Sequence, residues 1–248
     1  MRVPLGLLAC LLVTIPMYAE EIRVAAASDL NFAMKEIIPE FERNTGHKVL
    51  LTQGSSGNFY AQIVNGAPFD VFLSADLTYP RRLEESGKAV TGSTFVYGVG
   101  RIALWIPNRS RLNLDKLGMQ ALVEPSVKTI AIANPEHAPY GRAAIAAMER
   151  ARIPAETRKK LVLGENISQA AQFVQSGAAD IGVIALSIAL SDPMRIAGRY
   201  WVIPPDTYPR MEQGAVLLKS GSAARAFYQW LRAAPARKVL EKYGFGFD

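Results

Sequence analysis

Cysteine and histidine are almost missing from this chain. Its 248 residues include one cysteine, Cys10, and two histidines, His47 and His137. Cys10 falls within an N-terminal apolar stretch expected to be removed, so the mature chain would carry no disulfide, reactive thiol or thiolate metal site. Two histidines without cysteine make a zinc cluster an unsuitable reading. The signatures of nucleotide and acyl chemistry are also missing. There is no phosphate-binding loop ending in Gly-Lys-Ser/Thr and no dinucleotide glycine fingerprint. There is no Gly-x-Ser-x-Gly elbow either, because Gly54 precedes Ser56 but Asn58 stands where the second glycine belongs. Carboxylates are scattered, with no pair suited to acid/base work. Lysine and arginine are dispersed and not interleaved with aromatics, which speaks against nucleic acid as a partner.

Long apolar runs are also lacking. The longest, Leu5 to Met17, is shorter than the ~20 residues of a membrane span. Pro4 and Pro16 punctuate it. Met1-Arg2-Val3, this run and Tyr18-Ala19-Glu20 together read as a secretory signal peptide cut after Ala19. Leu7-Leu8-Ala9-Cys10 offers a second reading, a lipoprotein signal, although more apolar residues follow Cys10. The formal charge is +6 for the whole chain, with 28 basic and 22 acidic side chains. Such a modest positive field favours the arrival of small anions, and serves solubility equally well.

What the chain does have is a repeated pattern of apolar strands ending in small polar turns. Ile22 to Ala27 reads as a buried strand. Ser28 stands where a helix N-cap would, before a helix from about Asp29 to Arg43 that contains Pro39. Val49 to Leu51 is the next strand, followed by Thr52-Gln53-Gly54-Ser55-Ser56-Gly57-Asn58 and a helix from Phe59 to Asn65. A strand, a Gly- and Ser-rich turn and a helix start make an anion site, since hydroxyls, backbone N–H groups and the helix dipole all face one way. The turn has no cation, so it would hold an anion with neutral donors. Taken alone, the turn is more simply a plain connection with a serine cap, and the rest of the chain favours the anion site.

Phe69 to Ser74 is a third strand, and a helix runs from Pro80 to Glu85. Phe95 to Ile106 reads as one long strand that leads into a second region with the same pattern. There, Thr129 to Ala133 and Leu161 to Leu163 are strands. Each is followed by a polar loop and a helix, and Asp180 to Ala185 is a further strand. Arg199 to Ile203 and Gly214 to Leu218 are strands, the second returning the chain to the first region, and two helices close the sequence. His47, in a Gly-His-Lys turn, is expected to be exposed. The predicted class is α/β, with two lobes and a cleft at the carboxyl ends of the strands, where open α/β sheets hold ligands. The expected division is residues 1–19 as signal peptide, 20–98 with 212–248 as the first lobe, and 99–211 as the second.

Several stretches taken in order resemble a known family. They are Ala25-Ala26-Ala27-Ser28, Gly54-Ser55-Ser56-Gly57, Gly66-Ala67-Pro68-Phe69-Asp70-Val71-Phe72-Leu73-Ser74-Ala75-Asp76, Asn134-Pro135-Glu136-His137-Ala138-Pro139-Tyr140-Gly141 and Lys242-Tyr243-Gly244-Phe245. Together they resemble the periplasmic molybdate-binding proteins of ABC importers, over nearly all of the mature chain. The resemblance implies a two-lobed type II periplasmic-binding-protein fold that holds a tetrahedral oxyanion by hydroxyls and backbone N–H groups, without a salt bridge. It implies hydroxyl contacts from Ser28 and Ser56, and N–H contacts from Tyr140 and Ile167. One branch of the family carries a tyrosine at the position of Ala185; here the tyrosine is Tyr140, as in another branch. Asp29 is the awkward member of the set. Its carboxylate would repel a dianion, unless it turns aside and gives only its N–H or accepts from another site group.

The resemblance implies a binding protein and no enzyme, with molybdate or tungstate as ligand and no cofactor. The metal would be reached only through its own oxygens. The implied partner is a membrane permease of an ABC transporter, the location the periplasm, and the state a monomer. Three other readings remain at this stage: a receptor for sulfate or phosphate, a sensor subunit, and a secreted serine hydrolase using Ser56 with His137.

Overall fold

The computed structural model describes residues 19–247. The signal-peptide and lipoprotein readings at Cys10 therefore lie outside the described residues. Two five-stranded sheets organise the chain. The strands of the first are β1 (Glu21–Ala27), β2 (Lys48–Gly54), β3 (Val71–Ser74), β4 (Phe95–Gly100) and β10 (Met211–Leu217), in the order β2-β1-β3-β10-β4. Those of the second are β5 (Ile102–Pro107), β6 (Ile130–Ala133), β7 (Leu161–Gly164), β8 (Ile181–Ala185) and β9 (Gly198–Val202), in the order β7-β6-β8-β5-β9. The sheets share one plan. Three parallel strands lie side by side, and the two remaining strands include one antiparallel to its neighbours.

The long strand expected from Phe95 to Ile106 is in fact two strands. β4 ends at Gly100, and β5 begins at Ile102 in the other sheet. Apolar residues flank the Gly100-Arg101 break on both sides, so a single charged residue was read through. The chain returns between Val202 and Met211, and β10 starts earlier than the sequence suggested.

Burial on both faces explains why the strands read as continuous apolar runs. Val24, Ala26, Val71 and Leu73 face a core built with Ile37 and Phe41 of α1 (Asn31–Thr45) and with the C-terminal helices. Ala25 and Phe72 alternate to the opposite face, where Phe59 and Ile63 of α2 (Ser56–Val64) and Leu83 of α3 (Thr78–Glu85) cover them. The second sheet is wrapped by α4 (Leu114–Leu117), α5 (Pro139–Arg150), α6 (Ile167–Ser176), α7 (Leu186–Ala189) and α8 (Asp192–Ala197). Helices α9 (Ser222–Arg232) and α10 (Ala234–Lys242) close the first.

Two local expectations need correction. α1 does not start at Asp29: Ser28–Leu30 form a 3-10 turn, and the α-helix then runs unbroken through Pro39 to Thr45. His47 is buried rather than exposed. Its ring stacks on Phe41 at 6.3 Å, and its Nδ1 accepts the Glu20 N–H at 3.3 Å.

Candidate functional site

The parallel strands of both sheets end facing one another. β1 delivers Ser28 and Asp29, β2 delivers Ser55 and Ser56, and β3 delivers Ala75. From the other sheet, the loop after β6 delivers Ala138 to Tyr140, and the turn after β7 delivers Asn166 and Ile167. Between them lies a pocket of about 10 Å3 lined by Ser28, Asp29, Ser56, Tyr140 and Ile167 among others, with no lysine or arginine. All five residues singled out in the sequence are thus brought to one place, and Ala185 is not among the lining residues. A sugar or amino acid needs a pocket of hundreds of cubic ångströms. This one is too small for either, and its lining of hydroxyls and helix starts is what points to a compact anion.

Ser56 is held ready to donate. Its Oγ accepts the buried Ala75 N–H at 2.9 Å, which leaves the hydroxyl proton free. The serine that caps α2 is Ser55, whose Oγ accepts the Asn58 N–H at 3.4 Å. Ser28 is not a cap either, since no side-chain bond closes its turn. Its Oγ instead reaches across the cleft, accepting from Ser168 N–H at 3.3 Å and donating to Asn166 Oδ1 at 3.1 Å. Asn166 Oδ1 also accepts from Gln169 N–H. The Ser28 proton can therefore turn to a ligand without orphaning Asn166.

Three helix N-termini converge here. Ser56 and Ile167 are the first residues of α2 and α6, and Tyr140 follows Pro139, which opens α5 and has no N–H to offer. The next N–H groups along are occupied: Gly57 donates to His137 O, Gly141 to Ala138 O, and Ser168 to Ser28 Oγ. Those of Ser56, Tyr140 and Ile167 have no protein acceptor among the described residues. Each terminus carries roughly half a positive charge. The pocket is electropositive without containing a cation.

Asp29 lies at the pocket wall and is fully buried. Its Oδ2 accepts from the Tyr140 hydroxyl and from Gln213 Nε2, each at 2.9 Å. Gln213 Nε2 also donates to the Tyr140 oxygen, and Gln213 Oε1 accepts from Tyr97 at 2.7 Å. Burial pushes the Asp29 carboxyl up to about 6, against the lowering effect of Gln213, Tyr140 and the nearby backbone N–H groups of Asp29 and Leu30. Burial, and then the Asp29 charge, hold the Tyr97 and Tyr140 hydroxyls well above their ordinary range, so both stay protonated donors. Gly100 makes room for this cluster, since a Cβ there would lie 2.7 Å from the Tyr140 oxygen. Sequence reasoning missed Tyr97, Asn166, Ser168 and Gln213. Gln213 gave no clear signal, since it follows the charged Glu212 at the start of β10.

The hydrolase reading loses its geometry. His137 Nδ1 contacts Ser55 Oγ at 2.9 Å, not Ser56, and that serine is already the helix cap. The His137 contact belongs to a set that ties the lobes together. Gly57 N–H donates to His137 O at 2.9 Å, Asn58 Nδ2 donates to Glu165 Oε1 at 2.6 Å, and Arg142 pairs with Asp76 at 2.7 Å. Among the described residues, no group of three or more His, Cys, Asp or Glu side chains is placed to hold a metal ion.

Two α/β lobes meeting at a pocket lined with hydrogen-bond donors define a solute-binding protein. The chain matches the family described as bacterial extracellular solute-binding protein over residues 22–246, and it belongs to that family. Among its relatives, the molybdate-binding protein ModA of Azotobacter vinelandii is 41% identical over 246 residues, covering 98% of this chain and 94% of that one. The molybdate-binding protein ModA of Rhodobacter capsulatus is 40% identical, covering 93% and 90%. The solved periplasmic molybdate-binding protein of Azotobacter vinelandii superposes with a TM-score of 0.82 at 32% identity, covering 92% of this chain and 99% of that one. The type II binding-protein fold expected from the sequence is the fold observed.

Proposed function

We propose that this protein captures molybdate, and tungstate with it, outside the cytoplasmic membrane and hands it to the permease of an ABC transporter. The observation that carries the reading is the pocket: two serine hydroxyls and three free helix-terminal N–H groups converge on a space of about 10 Å3 without a cation. Ser28 and Ser56 donate through their hydroxyls. Ser56, Tyr140 and Ile167 donate through their N–H groups, and the metal is reached only through its own oxygens. Hydrogen bonds to a charged group contribute about 1.5–3 kcal/mol each, so five such donors support tight binding after ordering costs. The names of the relatives at 40% and 41% identity give the ion its identity. Sulfate offers the same charge and shape in a smaller body, so size discriminates against it. The protein works as a monomer, with no enzyme activity and no cofactor, and is released into the periplasm by cleavage after Ala19.

Calorimetric titration of residues 20–248 with molybdate, tungstate, sulfate and phosphate tests the ligand. Molybdate and tungstate should bind far more tightly than the other two. Preference for sulfate or phosphate would overturn the assignment. Intact mass of the secreted protein tests processing: the expected N-terminus is Glu20, and a diacylglyceryl group on Cys10 would contradict it.

A further inference from the structure

Asp29 is a carboxyl group in the wall of a pocket built for anions, and its two oxygens are treated differently. Oδ2 accepts two hydrogen bonds, from Tyr140 and Gln213. Oδ1 is buried and has no hydrogen-bond partner among the described residues. An ionised carboxylate in that arrangement leaves a charged acceptor unmatched, which is among the costlier things a protein interior can hold. A protonated one removes the charge: Oδ2 serves as the carbonyl acceptor, and Oδ1 becomes an O–H donor that an oxyanion in the pocket would match.

The groups around Asp29 settle where that proton goes. Tyr140 from α5 and Tyr97 from β4 are donors held protonated, Gln213 from β10 is uncharged, and Ser187 of α7 donates to the Asp29 backbone oxygen at 2.8 Å. Ser168 of α6 bonds the backbone oxygen of Ser28. No lysine, arginine or histidine is among the groups that shift the carboxyl. The nearest carboxylate acting on the cluster, Asp76, is engaged with Arg142. The site therefore has no cation to compensate an ionised Asp29, and no other group that can titrate in its place.

Resting on the oxyanion reading above, we infer that Asp29 binds the ion as a neutral carboxylic acid whose Oδ1–H donates to an oxyanion oxygen, so that each ion captured takes up one proton from solvent. The atoms balance: the proton comes from solvent, the ion arrives as a dianion, and the complex carries one negative charge fewer than the ionised protein and ion together. A dianion in the pocket stabilises the protonated form further, since the alternative sets a carboxylate against it. The specificity consequence is direct. An ionised Asp29 would be an acceptor and would welcome the proton of hydrogen phosphate. A neutral one is a further donor and favours a fully deprotonated oxyanion.

The experiment is titration calorimetry of the parent chain and of Asp29→Asn with tungstate and phosphate. It is run between about pH 6.5 and about pH 8.5 in buffers of different ionisation enthalpy, which reports protons bound per ion. For the parent, uptake should approach one proton per tungstate at the alkaline end, and affinity should fall about tenfold per pH unit there, the slope for one linked proton. Asparagine keeps the geometry, with an oxygen for Tyr140 and Gln213 and an N–H for the ion. Asp29→Asn should therefore bind tungstate with no proton uptake and no slope. Tungstate binding by the parent with no proton uptake at any pH would overturn the inference and leave the oxyanion reading standing, as would uptake unchanged in Asp29→Asn. Phosphate binding tighter than tungstate in the parent, lost in Asp29→Asn, would assign Asp29 the acceptor role instead. If neither chain bound tungstate or phosphate, the oxyanion reading itself would fall, and the inference with it.

Discussion

Ser55 and Ser56 are adjacent and chemically identical, yet the fold gives them different work. Ser55 closes a helix end and touches His137; Ser56 accepts one buried N–H and keeps its proton for the pocket. Ser56→Ala should weaken oxyanion binding by about 1–3 kcal/mol, and by leaving the Ala75 N–H unmatched it should also lower stability by a similar amount. Ser55→Ala should cost about 1 kcal/mol of stability as a lost cap and leave the donor count unchanged. Calorimetry and urea unfolding of the two variants separate the roles, and equal affinity in Ser56→Ala would remove it from the site. Asp29 makes a second prediction at this scale. Its carboxyl sits at about 6 in the folded chain against 3.8 unfolded, so the folded state holds its proton more tightly. Stability of the ligand-free protein is therefore intact below the unfolded value and declines as pH rises through the folded one. The deficit at neutral pH is about 3 kcal/mol. Asp29→Asn should be more stable than the parent near neutral pH and lose that advantage towards about pH 4, by urea denaturation at each pH. No change in the gap would mean that Asp29 titrates in the folded protein as it does in the unfolded chain, so that burial does not raise its carboxyl. Ser28 and the Ser55-Ser56 turn were legible because they follow apolar strands; the choice of Ser56, and Asp29, Tyr140 and Ile167, came with the family resemblance. Gln213 was not legible, because its partner Asp29 lies 184 positions away and nothing local links them.

At the scale of elements, the βαβ pattern was readable because strands covered on both faces are apolar throughout and the helices between them are long enough to show a period. The short helices α7 and α8, of four and six residues, gave no such period and went unread. The strand break at Arg101 was hidden by apolar residues on both sides. Helix α2 carries the sharpest test of closure. A Cβ on Gly57, its second residue, would lie 2.7 Å from the backbone oxygen of His137 on the opposite lobe. Alanine suits a helix interior better than glycine by about 1 kcal/mol, so Gly57→Ala should not unfold the first lobe. It should hold the lobes apart. The expected result is an affinity loss of tenfold or more, with small-angle scattering showing no compaction on adding molybdate. Parent-like affinity and compaction would show that the lobes close without this contact.

For the whole molecule, the account rests on a division of labour between the two sheets. Each presents the carboxyl ends of three parallel strands, and neither sheet alone supplies enough donors for an ion. Ser28 and Ser56 come from one side, Tyr140 and Ile167 from the other, and contacts such as Arg142 with Asp76 hold the halves together. A larger charged crevice of about 620 Å3, lined by Arg81, Arg142 and Arg210 among others, opens nearby. It is the obvious competitor for an anion, but Arg142 is paired with Asp76 and Arg210 with Glu212. Diffraction from crystals grown with molybdate, recorded at the molybdenum absorption edge, locates the ion without assumption. The account predicts one anomalous peak within the reach of Ser28, Ser56, Tyr140 and Ile167, with no lysine or arginine in contact. A peak among the arginines of the crevice, or none at saturating molybdate, would contradict it.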